Sequence, residues 1–128
     1  MSRKTILIVE DEAYIRALLE QTLEPLEEEG VRIVTASDGQ EGLDLAEILA
    51  PDLVFLDVMM PRLSGFEVCA AIRSNPYLQH TIIAILTARG EESAKQQSFE
   101  AGAHFYLNKP FDPDSILTLA RQELHRAS

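Results

Sequence analysis

The sequence predicts a doubly wound α/β fold of three layers, with one five-stranded parallel sheet between helices that number five in all. Three observations predict it. Five short apolar runs rich in β-branched residues alternate with longer segments of helical period. Four of those runs are almost continuously apolar, as strands covered on both faces must be. At ~150 residues per domain, a chain of 128 residues is expected to form a single unit spanning 1–128.

Each element follows from its own residues. Thr5–Val9 is the first strand. After it, Ile15, Leu18, Leu19 and Leu26 recur at helical spacing and predict a helix from Glu12 to Glu29, which Pro25 kinks or shortens and Gly30 closes. Val31–Thr35 is the second strand and the least continuous in its apolar character. Asp38-Gly39 turns the chain into a second helix with Leu45, Ile48 and Leu49 on one face and Pro51 beyond its end. Leu53–Leu56 is the third strand. Val68, Ala71 and Ile72 mark the third helix, stopped near Asn75-Pro76. Ile82–Leu86 is the fourth strand, and a helix from Glu92 to Ala101 ends at Gly102. His104–Leu107 is the fifth strand. Asp112 then caps a last helix that has Pro113 at its first position and Ile116, Leu117, Ala120 and Leu124 on its inner side.

Composition narrows the function. With 11 basic and 21 acidic residues the net charge is -10, which repels a nucleic-acid backbone and an anionic membrane alike. Direct nucleic-acid binding by this domain is therefore not expected. Ile6–Val9 is too short an apolar stretch for a signal peptide, and no run approaches the ~18 residues of a membrane span. Cys69 is the one cysteine, so an intramolecular disulfide is impossible and a reducing, cytoplasmic setting is expected. It reads as packing in the third helix. His80, His104 and His125 are dispersed and suggest no metal cluster.

In open parallel sheets, ligands bind beyond the carboxyl ends of the strands. There the first strand runs into Glu10-Asp11, the third into Asp57, the fourth into Thr87, and the fifth through Asn108 into Lys109-Pro110. Asp52 lies at the other end of the third strand and is not counted with them. Three carboxylates close together repel one another unless a cation offsets them. Hard oxygen donors with room for water suit Mg²⁺. A carboxylate can also attack phosphorus and form an aspartyl phosphate, whose oxygens an ammonium and a hydroxyl would stabilise.

Each residue alone admits a plainer reading. Glu10 and Asp11 could simply open a helix, where the dipole favours acids. Thr87 could satisfy backbone, and Lys109 could be a solvated loop charge. Asp57 is different because it stands between Leu53-Val54-Phe55-Leu56 and Val58-Met59-Met60, where an acid without a partner is costly.

Taken together, Ile6-Leu7-Ile8-Val9-Glu10-Asp11-Glu12, Asp57-Val58-Met59-Met60-Pro61 with Gly65, Leu86-Thr87-Ala88 and Lys109-Pro110-Phe111 resemble the motifs of response regulator receiver domains, and they span essentially the whole chain. The resemblance implies a flavodoxin-like strand order of 2-1-3-4-5. It implies that Asp57 accepts a phosphoryl group from a sensor histidine kinase or phosphotransfer protein, with Thr87 and Lys109 binding the phosphoryl oxygens. Mg²⁺ would be held by Glu10, Asp11, Asp57 and the backbone carbonyl of Met59. Many relatives have two aspartates where this chain has Glu10-Asp11, so the longer arm of Glu10 would reach the metal mainly through water.

By the same resemblance Thr87 and Tyr106 would form the switch, although Tyr106 alone reads as core filling, and Lys109-Pro110 would be a cis peptide. The fourth helix, fifth strand and fifth helix would present the signal to an output domain or effector, or to a second copy in a homodimer. Met59 and Arg89, each two residues beyond a site residue, would hinder the attacking water and lengthen the phosphorylated lifetime.

Two other functions share these residues. A phosphatase of the haloacid dehalogenase class also uses an aspartate nucleophile, Mg²⁺, a hydroxyl and a lysine, but needs a second aspartate where this chain has Met59. A binding module could keep the fold and never take up phosphate, although Asp57, Thr87 and Lys109 are all present. Flavin binding fits less well, because the loops after the first and third strands are acidic where a flavin phosphate needs donors.

Overall fold

The computed structural model describes residues 3–88 and 92–126. In chain order the elements are β1 (Thr5–Val9), α1 (Ala13–Thr22), α2 (Glu24–Glu28), β2 (Arg32–Ala36), α3 (Gly39–Leu49), β3 (Leu53–Asp57), α4 (Gly65–Ser74), a 3-10 turn (Pro76–Leu78), β4 (Ile82–Ala88), α5 (Glu92–Glu100), β5 (Phe105–Lys109) and α6 (Pro113–Arg126). The strands form one parallel sheet in the order β2-β1-β3-β4-β5.

Alternation along the strands builds the two halves of the core. In β3, Val54 and Leu56 join Val68, Cys69 and Ile72 of α4 and Ala46 of α3 on one face. Leu53 and Phe55 point the other way, towards Leu19 and Leu26 from the first helical segment and Ile116, Ala120 and Leu124 of α6. Both faces of the central strands are thus sealed, which is why their sequences are apolar throughout.

The structure corrects the sequence reading at two helices. The helix expected from Glu12 to Glu29 is divided at Leu23 into α1 and α2, so six helices are present among the described residues. Pro25 lies in the first turn of α2, where its missing N–H costs nothing; in an unbroken helix it would remove a hydrogen bond and clash with the preceding turn. In α3, Leu45 is half-buried against the core as expected, but Ile48 and Leu49 do not join it in the buried face. Gly39, Gly42 and Ala46 do, and Ile48 is 76% exposed. Gly42 lies so close to β1 that a Cβ there would fall 2.7 Å from the Val9 side chain, so close approach to the sheet selects glycine at this position.

Other local signals act as expected. The Asp38 carboxylate accepts the Glu41 N–H at 2.8 Å and starts α3. Gly30 (φ 98°) and Gly102 (φ 102°) adopt left-handed backbone after α2 and α5. Asp112 accepts hydrogen bonds from Asp114 N–H (3.2 Å) and the Ser115 hydroxyl (3.0 Å) at the start of α6. Strands β3, β4 and β5 run one or two residues further than expected, which carries Asp57, Thr87 and Lys109 into the sheet itself. Among the described residues no helix is long and apolar enough to cross a membrane.

Candidate functional site

Strand pairing brings the predicted residues to one edge. Glu10 follows β1 directly, and its N–H donates to the Ala36 carbonyl at 3.1 Å. Asp57 is the last residue of β3 and sits opposite Leu86 of β4. Thr87 pairs with Asn108, and Ala88 with Lys109 at the end of β5. Four strand ends therefore supply the site, and their register holds them side by side.

At the centre, Lys109 Nζ donates to Glu10 Oε1 at 2.9 Å and to Asp57 Oδ1 at 3.0 Å. Both carboxylates are buried. Asp11 is exposed at the rim, and one oxygen each from Glu10, Asp11 and Asp57 lies within 4.8 Å of the others. The second oxygen of Glu10 accepts the Glu12 N–H at 3.0 Å.

The charges are unbalanced, with three carboxylates facing one ammonium. Burial, reinforced by the charge of Asp57, pushes the Glu10 carboxyl up to about 7 against the pull of the Glu12 N–H and Lys109. Burial likewise raises Asp57, opposed by Lys109 and reinforced by Asp11. Burial disfavours the charge on Lys109, yet its hydrogen bonds to Glu10 and Asp57 hold its pKa above the ordinary value. Hard oxygen donors with two negative charges uncompensated are a suitable environment for a divalent cation. Among the described residues this is the one cluster of acids, histidines or cysteines able to hold a metal ion.

Thr87 Oγ1 is buried and has no hydrogen-bond partner among the described residues. A hydroxyl in that position costs ~1–3 kcal/mol relative to a satisfied one, so it is poised for an acceptor. Tyr106 lies half-buried on β5 opposite Ile85. Met59 follows Asp57 by two residues, and its side chain is 66% exposed. Arg89, expected beside the site, lies outside the described residues. The Lys109-Pro110 bond is cis.

Two supporting features escaped the sequence reading, Arg16 and the cap of α4, and a third, Gly65, was named with its motif but given no role. Arg16 of α1 donates through Nη1 to the backbone carbonyl of Glu10 at 2.8 Å, fixing the chain where it leaves β1. A capping box at Ser64 and Glu67 starts α4, and its Ser-x-x-Glu spacing was a readable signal. Gly65, first in α4, abuts the strand end: a Cβ there would lie 2.2 Å from the backbone oxygen of Asp57 and 2.8 Å from Val58 Cα. Only a residue without a side chain lets the helix approach so closely.

A doubly wound sheet that gathers an acidic cluster, a buried hydroxyl and a bridging lysine at its carboxyl edge defines a receiver-type signalling domain. The chain belongs to the response regulator receiver domain family, whose model matches residues 6–121. It is 42% identical over 124 residues to the alkaline phosphatase synthesis transcriptional regulatory protein PhoP of Bacillus subtilis, covering 97% of this chain and 50% of that protein. It is also 42% identical over 123 residues to the transcriptional regulatory protein ResD of the same organism, covering 96% of this chain and 49% of the relative. The chain thus spans about half the length of these curated relatives. Among solved structures, the chemotaxis response regulator CheY4 of Vibrio cholerae superposes with a TM-score of 0.84 at 32% identity, covering 95% of this chain and 99% of that one.

Proposed function

We propose that Asp57 accepts a phosphoryl group from the phosphohistidine of a sensor kinase or phosphotransfer protein, and that this modification switches a signalling face. The observation that carries the reading is the buried Thr87 hydroxyl without a partner, beside an aspartate already held by Lys109. In the transfer, a carboxylate oxygen of Asp57 forms a bond to phosphorus as the phosphorus–nitrogen bond of the donor breaks, and the histidine leaves with the bonding electrons. Lys109 holds Asp57 in place and offers its ammonium to a phosphoryl oxygen. Thr87 donates its hydroxyl to another.

Glu10, Asp11, Asp57 and the Met59 carbonyl would hold Mg²⁺, which when bound supplies positive charge to the transferring phosphoryl oxygens. Both Glu10 oxygens are already engaged, one by Lys109 and one by the Glu12 N–H, which favours contact through water. Thr87 moving towards the phosphoryl group would draw the end of β4 with it and let Tyr106 turn, altering the face made by α5, β5 and α6. That face would address an output domain, an effector or a second copy. Phosphorylation shifts this equilibrium only by its preference for one state, so the two states differ by a few kcal/mol at most.

Incubation with acetyl phosphate and Mg²⁺ tests the reading by intact mass. A gain of one phosphoryl group, lost in Asp57→Asn and in the presence of a chelator, is expected. Unmodified wild-type protein under these conditions would overturn it.

A further inference from the structure

We infer that the domain carries a second ligand site, at the amino-terminal edge of its sheet, for a small molecule bearing two or more phosphate groups. A cleft of about 560 Å³ opens there, lined by Arg3, Lys4, Thr5, Arg32, Asp52 and His80. It lies at the opposite end of the strands from Asp57, since Thr5 and Arg32 begin β1 and β2.

The charge pattern is the first argument. Acidic residues outnumber basic ones 21 to 11, so a wall in which cations outnumber carboxylates runs against the overall balance. Yet Arg3, Lys4 and Arg32 share one cleft, and none takes part in an ion pair among the described residues. The one carboxylate in the wall, Asp52, is held within it, its Oδ2 accepting the Thr5 N–H at 2.9 Å.

Donor geometry is the second. Arg3 is anchored through Nε to the Gly30 carbonyl at 2.9 Å, and Arg32 through Nε to the Thr5 hydroxyl at 3.3 Å. Each bond uses Nε and none is made through the terminal nitrogens, whose paired N–H groups match a phosphate oxygen pair. Capping of helix ends explains one donor of Arg3 and the His80 contact to the Ala50 carbonyl at 3.1 Å. It does not explain Lys4, Arg32 or the remaining guanidinium donors.

Volume is the third. The cleft falls within the ~300–1,000 Å³ of small-molecule pockets and exceeds what one inorganic phosphate would fill. Two guanidinium groups and an ammonium around a concave space suit a compact polyphosphate better than an extended acidic peptide.

Pyrophosphate is the probe. Calorimetric titration of the metal-free protein at low ionic strength, with backbone amide shifts followed by NMR, should show one site centred on Thr5, Arg32, Asp52 and His80. Arg3→Gln and Arg32→Gln should each weaken binding at least tenfold while the circular dichroism spectrum is retained. Asp57→Asn and Arg62→Gln, which alter the other edge and a distant exposed cation, should leave it unchanged. Four outcomes would overturn the assignment: no saturable binding at millimolar pyrophosphate, equal weakening by Arg62→Gln, shifts confined to the carboxyl edge, or tighter binding of a tetraglutamate peptide.

Discussion

Lys109 Nζ lies 3.0 Å from Asp57 Oδ1, and the same ammonium reaches Glu10, so one cation joins the ends of three strands. Replacing it leaves two buried carboxylates facing each other. Lys109→Met should lower stability at neutral pH without metal by about 3 kcal/mol, the low end for breaking a buried pair, because 20% of the lysine side chain is exposed. Urea denaturation measures this, and an unchanged midpoint would contradict it. Phosphoryl uptake by the variant should also be lost.

The raised carboxyl of Glu10 links stability to pH. An acid whose pKa is higher in the folded state holds its proton more tightly there, so metal-free stability is greatest below the unfolded value of 4.5 and falls as pH rises towards about 7. Asp57 acts in the same direction. Lys109, raised above its ordinary value, stays charged throughout this window. At ~1.4 kcal/mol per pH unit, the fall from Glu10 is on the order of 3 kcal/mol at most. Glu10→Gln should flatten the profile, measured by urea titration from pH 4 to 8 (an interval of ~4 units) in chelator.

Thr87→Val should separate stability from function. It removes a buried hydroxyl that lacks a partner, so the unphosphorylated protein should gain about 1 kcal/mol. Yet phosphoryl uptake, or the change of shape that follows it, should fall. A variant less stable than wild type in urea would show that the hydroxyl is satisfied in solution.

Gly65→Ala should cost about 1–3 kcal/mol, because the new methyl group meets the Asp57 backbone oxygen and the rigid Val58 Cα. The thermal midpoint should drop, and uptake at Asp57 should slow as the strand end is displaced. Ala70→Gly, on the exposed side of the same helix, serves as the comparison for a change in helix propensity alone.

Met59→Asn should speed loss of the phosphoryl group several-fold. The exposed methionine presents apolar bulk beside Asp57, and an amide there would give the attacking water a polar neighbour. Single-turnover dephosphorylation measures it, and an unchanged rate removes the role given to Met59.

Much of this molecule was legible because its central strands are sealed on both faces. Runs such as Leu53–Leu56 can be little else, and Asp57 at the end of one is conspicuous for the same reason. The division of the first helix was only half legible, since Pro25 signals a break but packing of Leu23 and Leu26 against the sheet decides its form. The buried face of α3 was misread at Ile48 and Leu49 because apolar spacing favoured them beside Leu45, whereas proximity to Val9 demanded glycine at position 42. Arg16 was invisible because its hydrogen bond goes to a backbone carbonyl, which no side-chain pattern announces.

Parallel pairing, rather than loop conformation, fixes where Glu10, Asp57, Thr87 and Lys109 stand. The outward surfaces of the helices contribute none of these groups. Recognition can therefore be rewritten on the exterior while the interior reaction stays as it is, much as one lock mechanism can be fitted behind many different doors.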